Sequence, residues 1–111
     1  MSHDSPESDW KLFRRLQALA LERFCKRVLE ELEPVAGNAA RTYHERYLDV
    51  FRLLKERDRE LALAFDDPRR SRMIHQLVAM HALGLLEPGE LAGFTARTRT
   101  TVDVLAKEVT R

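Results

Sequence analysis

Apolar side chains recur at Tyr43, Tyr47, Val50, Phe51, Leu54, Leu61 and Phe65, the i, i+3, i+4, i+7 spacing of one helix face. Thr42 and Glu45 stand at the spacing of a capping box, so a helix is predicted from Thr42 to Phe65. At ~1.5 Å per residue it is about 36 Å long, as long as a small domain is wide. A second stripe, broader and earlier, runs through Leu12, Phe13, Leu16, Leu19, Ala20, Phe24, Val28 and Leu32, flanked by Leu21, Cys25 and Leu29. It predicts a first helix from about Asp9 to Glu33, with Ser8 as N-cap and Pro34 closing it. A stripe this wide touches more than one neighbour. The link from Pro34 to Gly37 is short, with Asn38 as an alternative cap. Two helices of similar length so joined are expected to fold back as an antiparallel hairpin.

Polar residues break the long stripe at Lys55 to Glu60, where Arg57 and Asp58 occupy the turn that should be core. The break reads either as a solvated stretch with mixed i, i+3 and i, i+4 charge pairs, or as an interfacial ion pair that sets partner choice. It divides the helix into an aromatic half up to Leu54, expected to pack on the first helix, and a half from Leu61 to Phe65 that meets a third. Arg57, Asp58, Leu61 and Phe65 at that junction form a candidate partner surface.

Asp66-Asp67-Pro68 is the sharpest punctuation in the chain. Pro68 is suited to the first position of a third helix with Asp67 as N-cap, and Gly84 is suited to its left-handed C-cap, with Leu85 or Leu86 supplying the accompanying hydrophobic contact. The face Met73, Ile74, Leu77, Met80 and His81 is expected in the core. Arg69, Arg70 and Arg72 crowd the first turn, the unfavourable end of the helix dipole for cations. Beyond Gly84, Glu87 to Phe94 predicts a turn with one short helix starting at Pro88. Thr95 is the expected N-cap of a last helix with Thr98, Val102, Leu105 and Val109 as a narrow stripe. Its threonines make it a poor isolated helix that depends on docking.

The 111 residues predict one domain, with residues 1–8 a disordered tail and residues 9–111 a single helical bundle. Apolar residues make up 44% and charged residues 33%, with four Gly and four Pro, and β-branched residues are sparse before Thr95. That composition favours an all-α fold: a long antiparallel hairpin with a shorter third helix and a C-terminal helical hairpin, four to five helices in all. The net charge of +1 gives no global field toward nucleic acid or membrane. The single cysteine, Cys25, fits a reducing compartment and reads as a small buried hydrophobe. No apolar run approaches the roughly 20 residues needed to span a bilayer, so a cytoplasmic protein is expected.

Catalytic signatures are absent from the sequence. There is no Gly-rich phosphate loop, Cys-x-x-Cys, His-Glu-x-x-His or Gly-x-Ser-x-Gly. Ser71 and His75 share a helix face without a third orienting group. His75 and His81 stand about 240° apart around a helix, so they cannot share a metal, and His44 has no partner at ligand spacing. No catalytic residue, cofactor or metal is therefore expected. The sequence favours a non-catalytic, small bacterial-type interaction or regulatory protein, acting as a homodimer or with a protein partner.

The segment from Glu90 to Leu105, ELAGFTARTRTTVDVL, is similar to the helix-turn-helix segments of bacterial transcription regulators, with Ala92, Val102 and Leu105 at matching offsets. The resemblance implies DNA binding as an alternative function, with Arg97, Arg99, Thr100 and Thr101 facing bases or phosphates. Ala96 stands where the turn usually carries Gly and Arg97 where an apolar residue usually follows, and the likeness spans only Glu90 to Leu105.

Overall fold

In the computed structural model, which describes residues 6–109 (Val109 by its backbone only), the chain is all-α. Four helices appear: α1 (Glu7–Ala36), α2 (Tyr43–Phe65), α3 (Met73–Ala82) and α4 (Ala96–Val109), with single 3₁₀ turns at Arg70–Arg72 and Glu90–Gly93. The expected tail mostly lies outside the described residues, but α1 begins earlier than its polar lead-in suggests. Pro6 precedes the first turn and its carbonyl accepts from Trp10 N at 3.1 Å, so Ser8 is inside the helix rather than its cap.

Residue pairs between α1 and α2 show the antiparallel hairpin. Phe24 meets Phe65, Glu31 meets Arg57 and Ala36 meets Arg46, so positions advance along one helix as they recede along the other. Pro34 does not close α1, which continues to Ala36. Its missing N–H removes only the bond to the carbonyl four residues back, one turn from the helix end, and Gly37 N restores closure by donating to Glu33 O at 3.0 Å. The capping box at α2 is complete: Glu45 N donates to Thr42 Oγ1 at 3.1 Å and Thr42 N donates to Glu45 Oε1 at 2.9 Å.

α3 starts later than Pro68 suggests. Asp67 takes a left-handed φ of 48°, which Asp tolerates better than most residues. The chain then makes a 3₁₀ turn, and α3 begins only at Met73. A tertiary bond accounts for the delay: Gln76 Nε2 donates to Asp66 O at 2.7 Å, tying the corner to the body of α3. Asp67 pairs with Arg69 and Arg72 instead of capping. The C-terminus follows the sequence. Gly84 has φ 70°, Leu85 N donates to Met80 O and Gly84 N to His81 O, each at 3.0 Å. This is the Schellman pattern, with Leu85 and Met80 both buried as its hydrophobic contact. His81 sits in the last turn and is exposed, contrary to its expected core place. The helix expected from Pro88 is the shorter turn Glu90–Gly93, entered through Gly89 at φ 92°.

The core lies at one end of the molecule. Phe13, Leu16, Ala20 and Phe24 of α1 meet Ala64 and Phe65 of α2, Met73, Leu77 and Met80 of α3, Leu85 and Phe94 of the connections, and Val102 of α4. From Leu29 to Leu63, by contrast, no side chain is buried. The far part of the hairpin is therefore a two-helix arm projecting from a four-helix body, and it gives the molecule its long dimension of 56 Å against 26 and 20 Å.

Candidate interaction surface on the helical arm

α2 presents two different faces along the arm. Arg46, Leu53 and Arg57 fall within one narrow arc at ~100° per residue and turn toward α1. Arg46 Nε donates to Ala36 O at 2.6 Å, and Arg57 grips Glu31 with Nε and Nη2, each at 2.9 Å. Tyr43, Tyr47, Phe51 and Leu54 lie about 100° further round the helix, within an arc of roughly 80°. They are 84%, 68%, 55% and 42% exposed. The aromatic half of α2 thus does not pack on α1 as its spacing suggested. α1 offers one line of contact, that line is occupied by Leu53 and the arginines, and no third helix extends far enough to cover the rings.

Polar contacts hold the arm where apolar burial does not. Arg41 makes a two-pronged pair with Asp49, Nε and Nη2 each at 3.0 Å, and the Arg46 guanidinium lies 5.0 Å from the Tyr43 ring centre. Hydrogen bonding to Arg57 holds the Glu31 carboxyl below its ordinary range, and the same bond raises the Arg57 guanidinium. Arg57 also reaches Glu60 at 3.2 Å and Glu56 at 3.7 Å, so it is a strut between helices rather than a free cation.

Of the four junction residues read from the sequence, Asp58 alone is fully on open surface. Arg57 is bound as described, Leu61 is half-buried against the core, and Phe65 is 9% exposed with its ring 6.1 Å from that of Phe24. Phe65 is thus part of the body's core rather than a docking side chain. Sequence reasoning missed the true exposed strip. The signal available was the offset between the Tyr43–Tyr47–Phe51–Leu54 arc and the Leu53–Arg57 arc, which the single stripe left out.

At the other end, the segment from Glu90 to Leu105 forms a single 3₁₀ turn followed by α4, so its first element is far shorter than a helix-turn-helix pair requires. Arg99 Nη1 donates to Phe94 O at 2.6 Å and Ala92 O at 3.2 Å, closing that turn. Thr101 Oγ1 donates back to Arg97 O at 2.9 Å. Arg97 and Thr100 are exposed on the first turns of α4.

The buried polar groups serve the body. Asp9, 1% exposed, accepts from Thr95 N at 3.0 Å, Thr95 Oγ1 at 2.8 Å and Thr98 Oγ1 at 2.7 Å, pinning the start of α4 to the start of α1. Burial alone would raise the Asp9 carboxyl. The hydrogen bonds from Thr98 and Thr95, with Arg99 nearby, outweigh it and hold the group below its ordinary value. Gln17 Nε2 donates to Gln76 Oε1 at 3.3 Å and lies 3.4 Å from Ala64 O, joining α1, α2 and α3. Arg23 clasps Glu90 at 2.7 and 2.8 Å and donates to Leu85 O at 2.9 Å, while Arg27 donates to Leu83 O and Gly84 O at the end of α3.

A concavity of about 630 Å³ lies between α2, α3 and α4, floored by Leu63, Val78, Ala79 and Leu105 with His75 and Arg72 on its edge. Among the described residues no group of three His, Cys, Asp or Glu is placed to hold a metal ion, and no helix is long and apolar enough to cross a membrane. The Cys25 thiol is free and half-buried. Neither protein-family models, curated proteins nor solved structures give a match to this chain.

Proposed function

We propose that this is a non-catalytic helical interaction protein whose working surface is the aromatic face of the arm. The observation that carries this reading is the coincidence of four large exposed apolar side chains on one helix face with a stretch, Leu29 to Leu63, that buries no side chain of its own. Tyr and Phe each present ~150–250 Å². At the exposures above, the three rings alone offer about 400 Å², a large patch for a monomer. Removing that area from water favours association by ~10 kcal/mol gross at ~25 cal/mol per Å², comparable with the ~4–15 kcal/mol that association costs. The rings stand at i, i+4 and i+8, the spacing with which one helix meets another or a helical groove.

The buried polar side chains are taken up by the body of the fold, away from the arm. Asp9, Gln17, Gln76 and Thr98 bond to one another's elements or to backbone, and among the described residues no buried side-chain polar atom lacks a partner. Groups so engaged hold the body together.

The test is affinity capture from host lysate, with and without nuclease, comparing the wild-type chain with Phe51→Lys. Lysine suits a helix surface, so the variant is expected to fold. The wild type should retain a nuclease-resistant protein partner, a second copy included, that Phe51→Lys loses. Retention of duplex DNA that is unchanged by Phe51→Lys but lost in Arg97→Ala would refute this reading and favour the DNA-binding alternative.

A further inference from the structure

We propose that the partner on the arm is a second copy of this chain, the two arms packing side by side into an intermolecular four-helix unit. The acidic flank of α1 in one protomer then lies against the basic flank of α2 in the other. Such pairing presupposes that the arm is the working surface and names what occupies it.

The arm is built as half of something. Its two helices touch along one line, held by Arg46, Leu53 and Arg57, and the apolar strip of α2 faces away from that line. Two helices cannot enclose a core, whereas two such hairpins packed together form the four-helix arrangement whose interior apolar strips fill. A closed twofold pair is the commonest way for identical chains to cover such a patch, because each copy supplies what the other lacks.

Area favours a second copy. The three rings contribute about 400 Å² from each protomer, so about 800 Å² from a symmetric pair before any other residue is counted. Leu54, 42% exposed, and Leu29, 65% exposed, add to both sides. Together with flanking side-chain stems they carry the total past the ~1,000 Å² that a specific interface needs.

Charge favours it as well. In the arm portion of α1, from Leu29 to Ala36, Glu30, Glu31 and Glu33 are the only charged residues. Glu31 is engaged with Arg57, and Glu30 and Glu33 are exposed. On α2, the exposed Lys55 borders the aromatic strip on the side turned away from α1, and the exposed Arg59 and Arg52, the latter 3.5 Å from Asp49, lie further round that side. One protomer's acidic flank thus matches the other's basic flank, twice over in a symmetric pair. A net charge of +1 leaves two copies with little general repulsion.

The experiment is light scattering and sedimentation on the full chain at tens of micromolar. Wild type should show twice the chain mass. Phe51→Lys and Tyr47→Lys should each weaken the pair by roughly thirtyfold or more, as expected for a central aromatic anchor, with helicity by circular dichroism unchanged. Two charge variants distinguish self-pairing on these flanks from any other dimer. Glu30→Lys with Glu33→Lys makes both flanks basic, and Arg52→Glu with Lys55→Glu makes both acidic. Each should be weakened alone, and an equimolar mixture should recover a heterodimer, with salt raising the self-affinity of each variant. A monomeric wild type overturns the second-copy assignment; if Phe51→Lys still abolishes lysate capture, the arm remains the interaction surface. A dimer indifferent to all four variants overturns it too, and lysate capture equally indifferent to Phe51→Lys overturns both.

Discussion

Replacing Asp9 with Ala is the most direct probe of how the body is closed. The carboxylate accepts three hydrogen bonds, from Thr95 N at 3.0 Å, Thr95 Oγ1 at 2.8 Å and Thr98 Oγ1 at 2.7 Å, and these join residues far apart in sequence. Hydrogen bonds to a charged group contribute ~1.5–3 kcal/mol each. They share one carboxylate, so they do not add in full, and truncation also removes the burial penalty of the charge. About 3 kcal/mol is the expected loss for Asp9→Ala. Asp9→Asn keeps one acceptor for the Thr95 N–H but presents an amide to hydroxyls that now must donate elsewhere, so about 1–2 kcal/mol is expected.

Urea titration followed by circular dichroism measures the difference. With a slope of ~1–3 kcal/mol per molar, the midpoint of Asp9→Ala should fall by roughly 1–3 M at pH 7. The pH dependence has a definite sign. The folded-state pKa of Asp9 lies below its unfolded value, about 3.9 for an unperturbed Asp. The wild type's advantage over Asp9→Ala is therefore complete above that unfolded value and shrinks as pH falls through the folded one. Equal midpoints at pH 7, or a gap that widens on acidification, would show that Asp9 does not clamp α4 as described.

Other perturbations probe separate links. Phe24→Ala removes a buried ring packed on Phe65 and should destabilise the chain by about 3–5 kcal/mol in the same titration. Arg23→Ala frees the Glu87–Glu90 turn from α1; faster amide exchange confined to residues 85–94 is expected, and uniform protection would contradict the staple. Gly84→Ala forces a side chain onto a left-handed φ of 70° with ordinary space around it, so a loss of about 1 kcal/mol from backbone strain alone is expected. Gly93→Ala meets only the end of the Leu12 side chain, at 2.8 Å. Leu12 can turn aside, and a smaller loss than at Gly84 is the predicted order in thermal melts.

Much of the fold is legible in the residues. The Thr42–Glu45 capping box starts α2 where its spacing says, Gly84 ends α3 with the Leu85 contact, and both depend on atoms a few residues apart. The start of α3 is misread because Gln76 binds Asp66 O across a corner. His81 is misread because, one position after the buried Met80, it falls on the solvent side of the last turn. Tyr43, Tyr47, Phe51 and Leu54 show the same limit on a larger scale. Their spacing is a sound forecast of a helix with an apolar face, and no forecast of which neighbour covers it.

The sequence by itself determined that the chain is helical, where α2 begins and ends, where α3 ends and α4 begins, and that the two long helices pair as a hairpin. Periodicity, caps and short links are local properties, and they act on residues already close along the chain. Only the tertiary structure decided that α3 and α4 cover one end of that hairpin and leave the other bare. That outcome depends on the reach of two shorter helices and on distant pairs such as Asp9 with Thr95 and Arg23 with Glu90. The same apolar face therefore becomes core at Phe65 and exposed surface at Tyr43, because burial is set by what lies opposite a side chain.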